Sequence, residues 1–257
     1  MKVVAIALNT FRESVRDRVL YNLILFVLIL VSASILLAEL SMSQETKIIV
    51  DLGLSAMRIF GVFIAIFIGI GLVYKEIDKR TIYSLLAKPL HRYEFILGKY
   101  FGLSVTLVVN AAVMAASITI ALLFVKRGLD PIQIKIWPAA YMIFLELLVI
   151  TAISLLFSSF SSPALSALLT FFLFIIGTFS SDLKLFAATV GSGWAKAVCY
   201  GLYYILPNLD NFSAITATAH GRTPSIGALS FATGYAVMYV SALLGATVLI
   251  FGRRNFK

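Results

Sequence analysis

The chain has 257 residues, 61% hydrophobic and only 13% charged, with a formal net charge of +9 and a mean hydropathy of +1.00. A soluble domain carries roughly 25% charged residues, so this composition excludes one and specifies a polytopic membrane protein. The basic residues flank apolar stretches, where they act as topology signals, and this argues against nucleic acid as a partner. The single cysteine, Cys199, excludes an intramolecular disulfide and a cysteine metal cluster.

From the N-terminus, Leu8, Phe11 and Val15 share one helical face, while Lys2, Asn9, Arg12, Glu13 and Arg16 lie elsewhere. Residues 1–19 therefore read as an amphipathic helix lying in the membrane interface, not as a signal peptide. Six stretches are then long enough to cross a hydrocarbon core of about 30 Å, at 21–38, 59–74, 101–125, 137–160, 164–179 and 229–251. The second is short unless it begins near Leu54, with Arg58 reaching out to the interface. Basic residues at the N-terminus (Lys2, Arg12, Arg16, Arg18), in the central loop (Lys75, Lys79, Arg80, Lys88, Arg92, Lys99) and in the tail (Arg253, Arg254, Lys257) form the larger set, so both termini are expected in the cytoplasm. Lys126, Arg127 and Lys135 stand against that orientation.

Residues 74–100 form the only long charged segment between two strongly apolar ones. Ile77, Thr81, Ile82, Leu85 and Leu86 make one apolar helical face, and Glu76 and Arg80 are spaced to pair on the charged face. Pro89 stops that helix and forces a turn before a second amphipathic run near His91. The segment resembles the cytoplasmic coupling loop of ABC-2 type transporter permeases. The resemblance rests on the acidic-basic run after the second span, Thr81-Ile82, Leu85-Leu86, Pro89, Arg92, Phe95 and the Gly98-Lys99 pair opening the third span. Arg80 departs from the glycine that many members carry before the threonine.

The resemblance implies that Glu76, Lys79, Arg80, Thr81, Ile82, Leu85, Leu86, Pro89 and Arg92 dock on a separate ATPase subunit. It also implies that residues 1–19 are the family's elbow helix. Two copies, or two related permeases, would then form the path in a cytoplasmic (inner) membrane of a prokaryote.

In the third span, Gly98 and Gly102 are spaced as GxxxG and are followed by Ala111 and Ala115, a face for close helix packing within the bundle or for a dimer seam. The uncharged SSFSSP at 158–163 reads as a tight cytoplasmic hairpin. Residues 182–228 are the least regular, an external segment whose apolar piece, 197–206, suits a re-entrant or interfacial helix better than a crossing. Within it, LPNLDNFSA at 206–214 resembles the segment before the last span of ABC-2 permeases, including those that assist copper-site assembly in nitrous oxide reductase.

Two polar residues stand inside expected spans. Glu146 is a candidate transport residue, because an ionised carboxylate there costs about 2–4 kcal/mol; a hydrogen bond to a neighbouring helix is the alternative. Asn110 is more simply explained by bonding between helices than by ligand binding. His91 and His220 lie too far apart in topology to share a metal. Tyr93 occupies the position where a GxxxxGK phosphate loop needs its first glycine, and GxSxG and HExxH are absent.

The expected fold is all-α, a single membrane domain over 1–257 with six transmembrane helices, an elbow helix and a coupling helix. The expected function is that of an ABC exporter permease without an ATPase site, ATP and Mg belonging to the partner and no cofactor to this chain. An ion-coupled secondary transporter is the alternative, although no internal repeat is evident. A lipid-modifying membrane enzyme would need convergent catalytic residues that the sequence does not display. Substrate is not legible.

Overall fold

A computed structural model describes residues 2–16, 25–26, 29–30, 32–33, 36, 45–78, 91–126, 128, 131–189 and 193–253. Among them the structure is helical throughout its regular elements, without strands. The helices are α1 (Lys2–Arg16), α2 (Glu45–Asp78), α3 (Arg92–Lys126), α4 (Pro131–Ser158), α5 (Pro163–Thr178), α6 (Ser180–Thr189) and α7 (Gly193–Ile205). A 3-10 turn (Leu209–Phe212), α8 (Ile215–Ala219) and α9 (Ile226–Arg253) follow.

Among the described residues four helices are long and apolar enough to cross a membrane, within α2, α3, α4 and α9, and α5 with α6 make a further candidate span bent by 58°. The stretches expected at 59–74, 101–125, 137–160 and 229–251 fall on these four, and 164–179 falls on α5. The first expected stretch, 21–38, lies mostly outside the described residues, though Phe26 and Leu30 are buried in the core and Phe26 packs edge-on against Phe60.

Three local expectations are revised. α2 begins at Glu45, well before Leu54, because Ile49, Val50, Leu54 and Met57 recur at helical spacing and are all fully buried. α2 also runs on through Asp78, so the start of the central segment belongs to it; residues 79–90 lie outside the described residues. The run near His91 is the base of α3 and not a separate helix, since the Glu94 carboxylate accepts from the His91 amide at 2.9 Å, one half of a capping box.

α4 is the centre of the bundle. Of its most apolar stretch 72% of residues are buried, against 28% for α9, and it packs on α2, α3, α5 and α9. α2 meets α4 through Gly61, Ala65 and Gly69, spaced four apart. A Cβ on Gly61 would stand 2.6 Å from Leu147 Cδ1, and one on Gly69 would overlap Ser154 Oγ. Such small residues let backbones approach closely where lipid supplies no hydrophobic drive. The register advances together on both helices, so α2 and α4 run in the same direction.

The other glycine pair takes α1. A Cβ on Gly98 would stand 2.7 Å from Ile6 Cβ, and one on Gly102 2.6 Å from the Ala7 carbonyl oxygen, so the GxxxG face of α3 is filled within the chain. α1 turns Thr10 and Ser14 inward and leaves Val4 and Leu8 exposed, keeping an apolar face free as an interfacial helix requires. Between α4 and α5, the Ser158 and Ser159 hydroxyls donate to the Leu155 and Leu156 carbonyls, and extended Ser162 leads into Pro163 at the first helical position.

The segment expected to be least regular is mostly helical. α5 bends into α6, α7 packs back on α6, and each of the two is too short for a crossing, which takes roughly 20 residues.

Candidate functional site

The most constrained polar group in the spans lies between α2 and α4. Their parallel small-residue contact sets Arg58 opposite Glu146, and the guanidinium grips the carboxylate twice. Nε donates to Oε2 at 2.8 Å and Nη2 donates to Oε1 at 2.6 Å. Glu146 is 1% exposed and Arg58 17%, so the pair is removed from solvent on both sides. A bidentate Arg–carboxylate fork is the geometry that best repays the desolvation of two charges.

The same guanidinium reaches a third helix. Nη2 also donates to Thr178 Oγ1 at 3.1 Å, and the Phe174 ring centroid lies 5.3 Å from its carbon. Thr178 spends its own hydroxyl hydrogen on the Phe174 carbonyl at 2.8 Å, leaving oxygen lone pairs for Arg58. Thr178 closes α5, and the chain bends immediately afterwards.

On the far side of the bend the contacts change. Ser180 Oγ donates to Asn208 Oδ1 at 2.6 Å and Ser181 Oγ to Asp210 Oδ2 at 2.5 Å. Asn208 is itself fixed, its backbone amide donating to Tyr235 Oη of α9 at 2.8 Å. Gly177 is required here, because a Cβ would lie 2.7 Å from the Pro207 carbonyl oxygen and 2.8 Å from Leu209 Cγ. Leu209 and Phe212 are buried in the main core. The LPNLDNFSA stretch is thus a clasp that bonds the start of α6 on one side and Tyr235 of α9 on the other. Farther out, Lys135 donates to the Gly221 carbonyl at 2.8 Å, and Gly221 has the positive φ of 74° that glycine adopts without strain. This gives one of the basic residues that opposed the expected orientation a local structural partner.

The expected site residues are not gathered in one place. Glu146 joins the cluster just described, with Arg58 as its partner, not the interface as the position of Arg58 suggested. Asn110 sits apart in α3, and its Nδ2 donates to the Thr106 carbonyl of the same helix at 2.9 Å, so it does not bridge helices among the described residues. Its Oδ1 is buried with no hydrogen-bond partner among them. Of the docking residues, Glu76 lies in the last turn of α2 and Arg92 opens α3, while Lys79, Arg80, Thr81, Ile82, Leu85, Leu86 and Pro89 lie outside the described residues. His91 stacks on Tyr93 and His220 is exposed near the start of the α8–α9 connection. Among the described residues no three His, Cys, Asp or Glu side chains gather as a metal site would need.

Sequence reasoning found Glu146 and missed Arg58, Thr178 and the serine clasp. The available signal was complementary charge, one cation and one anion buried in two spans that run in the same direction. An open apolar groove of about 800 Å³ also lies between α3, α4 and α9, lined by Tyr100, Leu145, Leu148, Val240 and Leu244.

A family model described as ABC-2 family transporter protein matches residues 4–255. No curated protein matches the chain.

Proposed function

Because the chain belongs to the ABC-2 transporter family and is a multi-pass membrane protein, we propose that it is the permease subunit of an ATP-binding cassette exporter. It crosses a prokaryotic cytoplasmic (inner) membrane six times with both termini inside. A separate ABC ATPase, which holds ATP and Mg, docks on Glu76, Lys79, Arg80, Thr81, Ile82, Leu85, Leu86, Pro89 and Arg92, and a second copy or a related permease completes the path. The observation that carries this reading is the family match across nearly the whole chain, coinciding with a charged amphipathic segment placed between two long apolar helices.

Function in such a subunit is conformational. Closure of the ATPases would displace the segment that joins α2 to α3, and these helices would carry the displacement into the bundle. Each is an unbroken helix of about 50 Å at 1.5 Å per residue, long enough to extend past the hydrocarbon core. α1, seated on Gly98 and Gly102, braces the base of α3.

The test is capture of tagged protein from detergent-solubilised native membranes, comparing wild type with a charge-reversed Lys79, Arg80 and Arg92 variant. An ATP-hydrolysing partner recovered by wild type and lost by the variant supports the reading. Folded wild type that brings down no ATPase refutes it and favours a secondary transporter.

A further inference from the structure

We infer that Arg58, held in aim by Glu146, is a positioning residue that sets the bend between α5 and α6 and makes that bend depend on where α2 stands. The inference rests on the permease reading and assigns its moving joint. Three observations carry it.

The bend is anchored differently on its two sides. Before it, Thr178 and Phe174 meet the guanidinium of α2 while Gly177 lies against Pro207 and Leu209; after it, Ser180 and Ser181 donate to Asn208 and Asp210, and the Asn208 amide donates to Tyr235 of α9. The guanidinium contact is made on the α5 side of the bend alone, so moving α2 acts on one side of the break and changes its angle.

The guanidinium has one available orientation. Two bonds to a buried carboxylate fix its plane, and that plane presents Nη2 to Thr178. Glu146 therefore acts through Arg58, aiming it at the last turn of α5.

Finally, α2 reaches from the joint to the ATPase-facing end without a break. From Arg58 to Asp78 it is one helix of about 30 Å. Its closest contacts with α4 are Gly61, Ala65 and Gly69, which project no large side chain into α4. Leu147 and Ser154 of α4 seat in the notches at Gly61 and Gly69, and the Arg58–Glu146 fork adds a bidentate ion pair across the same seam. A displacement of α2 along its axis draws Nη2 away from Thr178 and releases the angle of α6.

The experiment uses the purified complex with its ATPase in lipid nanodiscs, on a Cys199→Ser background. Spin labels are placed at Leu168 of α5 and Leu185 of α6, both exposed, and labelled copies are diluted with unlabelled ones. Distances across the bend are compared without nucleotide and after trapping with ADP and vanadate. The expected result is a trapping-dependent shift in the otherwise wild-type protein and in Thr178→Ser. It is lost in Thr178→Ala and in the Arg58→Met, Glu146→Leu double variant, both of which still bind the ATPase. A shift of undiminished size in Thr178→Ala and in the double variant overturns the inference. So does a complex with bound ATPase that shows no shift in the wild-type background. Failure of any ATPase to co-purify is a separate result that refutes the permease reading and the joint with it.

Discussion

Two seams of this molecule are built on glycine, and they are closed in different ways. Where α1 lies on α3, Gly98 and Gly102 admit the backbone of α1, and the ion pair at the seam is loose, with the Nζ of Lys99, itself 2% exposed, 3.7 Å from a Glu13 carboxylate that is 35% exposed. Where α2 lies on α4, Gly61 and Gly69 admit side chains of α4, and the ion pair is bidentate and 2.6 Å at its shortest, with its carboxylate fully buried. A pattern of small residues says that helices approach closely. It does not say whether the contact braces an edge or fixes a joint. The charges beside the glycines carry that difference, because a half-wet pair is screened and adjustable, whereas a buried fork permits a single geometry.

The largest effect should come from leaving one buried charge alone. Arg58→Ala strands Glu146 and is expected to destabilise the protein by about 3–5 kcal/mol, whereas the apolar Arg58→Met, Glu146→Leu pair should remain close to wild type. Thermal unfolding in detergent distinguishes the two, and equal losses in both would mean that packing, not charge pairing, holds this seam.

Next in size are the glycines. Gly102→Ala drives a methyl into the Ala7 carbonyl, which is helix backbone and cannot rotate away, and should cost about 1–3 kcal/mol by displacing α1. Gly61→Ala meets only the end of the Leu147 side chain and should fall at the low end of that range. Limited proteolysis near residue 16 reports release of α1, and should accelerate in the first variant alone.

Smaller still is Glu13→Gln, expected to cost under about 1 kcal/mol and to lose its effect at high salt, since Glu13 is partly solvated. Asn110→Ala gives up a single hydrogen bond to its own helix and should change stability by less than about 1 kcal/mol. A loss of several kcal/mol would reveal a partner for its Oδ1 beyond the described residues. Glu146→Gln is expected to weaken transport while the complex still assembles, because the amide retains a hydrogen bond but not the charge that aims Arg58. Unchanged transport would remove Glu146 from the mechanism.

Much of the fold was legible in hydropathy. Apolar runs of spanning length located α5 and α9 within about three residues and the ends of α3 and α4 within about two, although α3 starts nine and α4 six residues earlier than expected, and serines before Pro163 located the hairpin. The start of α2 was missed because Thr46, Lys47 and Asp51 lower the local hydropathy, although the residues between them bury one face. GxxxG at Gly98 was visible, yet its partner was not, since a small face does not name the helix that fills it. The Gly61, Ala65 and Gly69 stripe was overlooked because alanine at its centre hides the repeat in an apolar sequence. Segment 182–228 read as irregular because glycine and aromatic residues obscure periodicity, and the start of α6 is held by the Asn208 and Asp210 clasp and not by an apolar stripe alone.

The most direct test of the whole account is native mass spectrometry of the complex captured by the tagged protein from its own membranes. The account predicts an assembly of two permease chains, identical or related, with two ATPase chains, and ATP hydrolysis in the same fraction. The chain recovered alone, or only with copies of itself and without ATP hydrolysis, would contradict it.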